Sequence, residues 1–200
     1  MPPDASAAER DALLLVDLFN DFSHEDGERL LQSFIERFPE LERLVEWARD
    51  AGLPVVYGND ALGIEHATAA EIVEIARRGP LGACVPAVEP RRGDPFFVKP
   101  LYSAFEATEL EQTLRGLGIT RLLLAGSATE RCVTQTAVSA RERDIETIVL
   151  TAACPTVDPR LEQIALCYVE SVAQARVERR PIHAWRGGEV SLRTSPALPP

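Results

Sequence analysis

Two hundred residues, 46% apolar and 26% charged, suit one domain with a continuous core. Thirty-one acidic residues against 21 basic ones give a net charge of −10, which argues against nucleic acid or an anionic membrane as partner, since both select basic patches. Cys84, Cys132, Cys154 and Cys167 form no CxxC pair and do not alternate with His24, His66 or His183, so neither a metal nor a cofactor is expected. Residues 1–10 lack a cationic leader, and the apolar run that follows is too short for a signal or a membrane span. The expected setting is therefore the cytoplasm, with free thiols.

The run Ala12-Leu-Leu-Leu-Val-Asp-Leu18 reads as a strand buried on both faces. A helix over 28–51 follows, with Leu41, Leu44, Val45 and Ala48 on one stripe, a break expected near Pro39, and Gly52 as its stop. Residues 54–58 form a second strand and 67–78 a second helix. The Gly/Pro-rich stretch 79–95 leads to a third strand over 96–99. A helix over 106–117, a strand over 121–125, a helix over 131–143 and a strand over 146–150 continue the alternation. A helix over 161–172 and a sixth strand over 173–177 end it. The pattern predicts an α/β fold in three layers, α/β/α, around a Rossmann-like, mostly parallel sheet of about six strands. It occupies residues 11–186, between a loose start (1–10) and a loose, Pro-containing tail (187–200).

Sheets of this kind place their sites at the carboxyl ends of the strands. Asp17 ends the first strand, Lys99 ends the third, and Cys132 opens the helix after the fourth. A helix N-terminus and an ammonium both favour thiolate, and a nearby carboxylate can accept the thiol proton, so Cys132 is expected to be the most reactive of the four thiols. Cys84, Cys154 and Cys167 are read as buried hydrophobes, with Cys167 on the inner stripe of its helix. Glu130 either braces the cysteine loop or serves as a helix N-terminal acid.

Three motifs carry a family resemblance: Asp17-x-x-Asn20-Asp21-Phe22, Lys99 followed by Tyr102-Ser-Ala-Phe105, and Gly126-x-x-Thr129-Glu130-x-Cys132-Val133. Together and in this order they make the chain similar to the isochorismatase-like cysteine hydrolases, the superfamily of nicotinamidases and N-carbamoylsarcosine amidohydrolase. The resemblance implies Asp17 as general base, Lys99 as catalytic lysine and Cys132 as nucleophile. It also implies a cis peptide at Ser127–Ala128, an oxyanion site made by the backbone N–H groups of Ala128 and Cys132, and a homo-oligomer, dimer or tetramer.

Two departures shape the substrate expectation. Phe19 stands where many relatives carry Gln, and with Phe22, Tyr102 and Phe105 it predicts an apolar pocket for a small, flat acyl group. The metal-binding nicotinamidases carry Asp-x-His and a later His at the position where this chain reads Asp60-Ala-Leu62, leaving Asp60 and His66 as the only candidate ligands. The expected reaction is cleavage of a C–N bond in a small amide, lactam or ureido compound through a Cys132 thioester, with neutral compounds preferred to dicarboxylates. The alternatives are vinyl-ether hydrolysis of the isochorismatase type, which needs no nucleophile, and a catalytically silent binding or assembly module.

Overall fold

A computed structural model describes residues 10–185; both end segments expected to be loose, apart from Arg10, and residue 186 lie outside the described residues. Six strands form one sheet in the order β3-β2-β1-β4-β5-β6, every neighbouring pair parallel. They are β1 (Asp11–Val16), β2 (Val55–Asp60), β3 (Phe96–Lys99), β4 (Arg121–Gly126), β5 (Glu146–Leu150) and β6 (Arg176–Glu178). Helices flank the sheet: α1 (Gly27–Asp50), α2 (Ala69–Arg78), α3 (Val85–Val88), α4 (Leu110–Gly116), α5 (Thr134–Arg141) and α6 (Pro159–Ser171). The expected three-layer α/β/α fold is what forms.

The centre of the core is β1, whose Ala12, Leu13, Leu14, Leu15 and Val16 are buried between β2 and β4. Such a strand is apolar on both faces because helices cover both. Asp17, at φ +43°, turns the chain off the strand; that left-handed conformation is rare for residues with a side chain and best tolerated by Asp and Asn. The strand therefore stops before Leu18, earlier than its apolar run.

Some boundaries differ from expectation for local reasons. Helix α1 runs unbroken through Pro39, because the carbonyl that loses its donor belongs to Ile35, an exposed residue where water can replace it. Ala107, at φ +54°, keeps the residues after Lys99 out of α4 and in a chain of turns. Residues 79–95 hold a 3₁₀ turn and α3 rather than only irregular chain. The cysteine helix opens as a π-helical turn, Thr129–Val133, closed by the Val133 N–H on the Ala128 carbonyl at 3.3 Å.

The order of the strands reverses between β1 and β4, which opens a crevice at their carboxyl ends. Gly126 ends β4 there at φ +110°, and a Cβ on it would lie 2.0 Å from the Val16 carbonyl oxygen, the acceptor of the Ser127 N–H. Only glycine fits that approach. Gly126→Ala is expected to lower stability by more than about 2 kcal/mol in urea unfolding, well beyond a surface substitution.

Candidate active site

Asp17, Lys99 and Cys132 meet at the carboxyl edge of the sheet. β2 lies between β1 and β3, and the register sets Asp60 opposite Lys99, which aims the long lysine stem across β2 toward Asp17. Lys99 Nζ lies 2.7 Å from Asp17 Oδ2, 3.4 Å from Cys132 Sγ and 3.0 Å from the Leu101 carbonyl oxygen. The other Asp17 oxygen, Oδ1, accepts the Asp60 N–H at 2.7 Å. The backbone carbonyl of Asp17 accepts the Ser127 hydroxyl at 2.8 Å, which ties the β1 end to the cysteine turn.

All three side chains are buried, Lys99 to 2% exposure. Burial pushes the Asp17 carboxyl up to about 6, against the pull of the Lys99 ammonium; the Asp60 charge raises it further. Asp17 is thus ionised at neutral pH yet close enough to neutrality to carry a proton. For Lys99, burial acts downward but the Asp17 carboxylate prevails, so its acidity is weakened and it stays charged. The Cys132 thiol is pushed up by burial first and by the Asp17 carboxylate next, with Lys99 only partly offsetting them. This corrects the expected resting thiolate: the proton rests on sulfur, beside an ion pair that is already neutral overall.

The cysteine turn is clamped from behind. Thr129 donates its hydroxyl to the Cys154 carbonyl at 2.8 Å and its N–H to the Pro155 carbonyl at 3.0 Å. Its Oγ1 also lies 3.2 Å from Glu162 Oε1, and Glu162 is paired with Arg37 through Nη2 at 2.9 Å. Of the two readings of Glu130, the brace is the one found: its carboxylate accepts the Thr156 hydroxyl at 2.7 Å and the N–H groups of Val157 and Asp158 at 2.9 and 3.1 Å. The Ser127–Ala128 peptide is cis, and among the described residues the Ala128 N–H has no acceptor.

Arg37 and Glu162 were not anticipated. Each reads in sequence as an ordinary charge on an amphipathic helix, and nothing local signals a partner on another crossover. Their pairing also accounts for a misplaced cysteine. With Glu162 drawn inward, α6 buries Ala165, Leu166 and Val169 and turns Cys167 outward, so Cys167 is exposed rather than on the inner stripe.

A cleft of about 400 Å³ opens over Asp17 and Cys132, with Asn20, Asp21, Ser23, His24, Asp60, Tyr102 and Arg131 among its walls. Of the four aromatic residues expected there, only Tyr102 lines it. Phe19 is buried among Tyr57 and Phe96, with ring centroids at 5.9 and 6.1 Å. Phe22 packs edge-on against Phe34, and Phe105 is buried with the Arg143 guanidinium over its ring. These rings find apolar partners in the core, and the cleft walls mix polar side chains with Leu30, Leu62 and Val157 in place of the aromatic lining expected.

Asp60 and His66 do not converge. Asp60 Oδ1 accepts the Leu62 N–H at 3.0 Å, and His66 lies exposed beside Glu65. Among the described residues no group of three or more His, Cys, Asp and Glu side chains is placed to hold a metal ion. The donor set of the metal-binding relatives does not fit here, because Leu62 supplies no ligand. Among the described residues no helix is long and apolar enough to cross a membrane.

The strand order, with a cleft at its switch point, is that of a doubly wound α/β fold. Residues 11–177 match the sequence model of the isochorismatase domain, and the chain belongs to the isochorismatase family. It is 30% identical to a ureidoacrylate amidohydrolase of Methylorubrum extorquens, over 84% of this chain and 79% of that one. It is 28% identical to a probable inactive nicotinamidase of Arabidopsis thaliana, over 87% and 93% of the two chains. The crystal structure of N-carbamoylsarcosine amidase from Thermoplasma acidophilum superposes with a TM-score of 0.67 at 28% identity, covering 85% of this chain and 96% of that one. Amidohydrolases thus recur among its homologues, which supports amide hydrolysis in general terms.

Thiol accessibility separates the cysteines. Brief treatment with iodoacetamide near neutral pH should alkylate the exposed Cys167 first and leave activity intact. Cys132, buried and protonated, should react slowly with this reagent. Peptide mapping alongside an activity assay checks both points, and loss of activity in step with Cys167 labelling would contradict them.

Proposed function

We propose that the protein is a cysteine amidohydrolase that cleaves a C–N bond in a small amide or ureido compound, with Cys132 as nucleophile. The observation that carries this reading is a single contact set: the Lys99 ammonium within 2.7 Å of Asp17 and 3.4 Å of Cys132, at the floor of a cleft. Asp17 takes the thiol proton as sulfur attacks the carbonyl carbon, so the negative charge passes to the carbonyl oxygen rather than resting on sulfur. The N–H groups of Ala128 and Cys132 receive that oxyanion, the first of them without an acceptor among the described residues. The C–N bond breaks, the proton held by Asp17 leaves with the amine, and a thioester remains on Cys132. Asp17 then takes a proton from water, hydroxide adds to the thioester, and the acid is released as the thiol is restored.

Lys99 keeps Asp17 ionised and holds both partners in place, and its charge steadies sulfur while the proton moves. The contact between Lys99 and the thiol favours this path over vinyl-ether hydrolysis, in which sulfur has no task. A silent module would retain the fold without turnover, and the relative named as probably inactive is of that description.

The test is turnover of a panel of primary amides, lactams and ureido compounds, scored by release of ammonia or amine. Cys132→Ala should abolish hydrolysis, and Asp17→Asn should reduce it by a comparable factor, because the groups act as a unit. Activity retained by Cys132→Ala would reject the thioester path. The pH profile follows from Asp17. The base works only when ionised, so kcat/KM should fall with unit slope below pH about 6 and level off above it. A profile flat down to pH 5 would exclude Asp17 as the base.

A further inference from the structure

The turn that carries Asp17 is held by a buried side chain outside the cleft. The pairing of β1 with β2 ends at Val16 and Gly58, where the Asp17 N–H donates to the Gly58 carbonyl at 2.9 Å. Asp17 then takes its left-handed conformation and the ladder stops. Phe19 lies past the end of β1 and is only 1% exposed, so its peptide groups need partners away from water. The Asn59 carboxamide supplies both. Its Oδ1 accepts the Phe19 N–H at 2.9 Å, and its Nδ2 donates to the Phe19 carbonyl at 3.0 Å. Nδ2 also lies 3.2 Å from the Asp60 carbonyl oxygen, and Asn59 is itself 1% exposed. One side chain thus takes the place of a residue on a neighbouring strand. Together the last three residues of β2 grip the turn at three points. Gly58 accepts the Asp17 N–H, the Asp60 N–H binds Asp17 Oδ1 at 2.7 Å, and Asn59 fixes the chain two residues beyond. A side-chain-bearing residue at φ +43° persists only where its surroundings over-determine it. The Phe19 ring, stacked on Tyr57 and Phe96, anchors the segment without fixing the direction of its peptide groups.

We propose that Asn59 is a positioning residue for the reaction: by clamping both peptide groups of Phe19 it holds the Asp17 turn closed, and with it the carboxylate against Lys99 and Cys132. This rests on Asp17 as the base in the hydrolysis above. Asn59 contacts neither the sulfur nor the cleft, so it has no part in binding substrate. Asp17 moves a proton both when the thioester forms and when it is hydrolysed, so a loosened turn slows both halves of the cycle. Misplacing a reacting group by about 1 Å costs on the order of 10²-fold in rate.

Two variants test it. Asn59→Leu is nearly the same size and has no polar atom, and Asn59→Ser is smaller and lets water reach the Phe19 peptide groups. Val45→Ala, buried in α1 away from the cleft, is the control for lost stability alone. Titration of Asp17 in the substrate-free protein is followed by NMR of carboxyl-labelled aspartate, its resonance assigned with Asp17→Asn. The unsubstituted protein should show a midpoint near pH 6. Both Asn59 variants should move that midpoint by at least about half a unit toward the ordinary carboxylate range, because burial is what raises it and a loosened turn admits water. Val45→Ala should leave it in place. On an amide that the unsubstituted protein hydrolyses, both Asn59 variants should lose at least about thirtyfold in kcat with KM kept within about twofold. A merely structural Asn59 would lower stability and move neither reading, as in Val45→Ala. That result in either folded Asn59 variant overturns the proposal, and Asn59→Ser decides if Asn59→Leu does not fold. A displaced midpoint with no amide hydrolysed by the unsubstituted protein rejects the hydrolase reading and keeps the clamp on Asp17. Turnover through Cys132 with an unmoved midpoint does the reverse.

Discussion

A carboxylate and an ammonium lie at the edge of the sheet, the ammonium almost wholly withdrawn from water and the carboxylate open to it only through the cleft. Removing such ions from water costs several kcal/mol each, which mutual attraction returns only when geometry is good and the remaining donors and acceptors are satisfied. Here they are. Lys99 has three N–H donors, and Asp17 Oδ2, the Leu101 carbonyl and Cys132 Sγ are its three acceptors. Asp17 spends its other oxygen on the Asp60 N–H. The Lys99–Asp17 and Asp60–Asp17 contacts require β1, β2 and β3 in this order and this register, so the sheet is held to one arrangement by its charged edge as well as by its apolar interior. The thiol belongs to the same arrangement, as the acceptor of the third lysine proton.

Around that pair the structure holds the cysteine turn against its neighbour crossover rather than against its own strand alone. Thr129 and Glu130 both reach the β5–α6 connection, one through the Cys154 and Pro155 carbonyls and the other through Thr156, Val157 and Asp158. Arg37 brings α1 into the same network through Glu162 and the Thr151 carbonyl. A π-helical turn has weaker hydrogen bonding of its own than an α-helix, and these outside contacts supply the rigidity it lacks. The placement of sulfur is thereby set by residues that never touch it.

Much of this was legible in the sequence, and the exceptions share a cause. Buried parallel strands are nearly continuous apolar runs, so β1, β4 and β5 stood out, and the rule that sites gather at strand ends selected Asp17, Lys99 and Cys132 from many polar residues. What failed depended on which way a side chain leaves the chain. Phe19 follows the left-handed turn at Asp17, so alternation no longer tells its face, and it joins Tyr57 and Phe96 in the core. The orientation of α6 turns on Glu162, whose partner Arg37 lies on the first helix. The sense of the thiol's shift was also hidden: helix and lysine favour thiolate, and only burial and the adjacent Asp17 charge outweigh them.

The central position of β1 has a consequence for the newly made chain. Domains form from the N-terminal side as the ribosome releases them, and parallel pairing waits for each crossover to be complete. Strands β1, β2 and β3 emerge first, and with them come Asp17 and Lys99, before the cysteine has been translated. The open flank of β1 is then covered by β4, whose following turn brings the thiol to Lys99. A cut between β3 and β4 leaves Asp17 and Lys99 on one piece and Cys132 on the other. The three side chains therefore meet only after β4 and its following turn have been made, and a single cut between the two halves separates them.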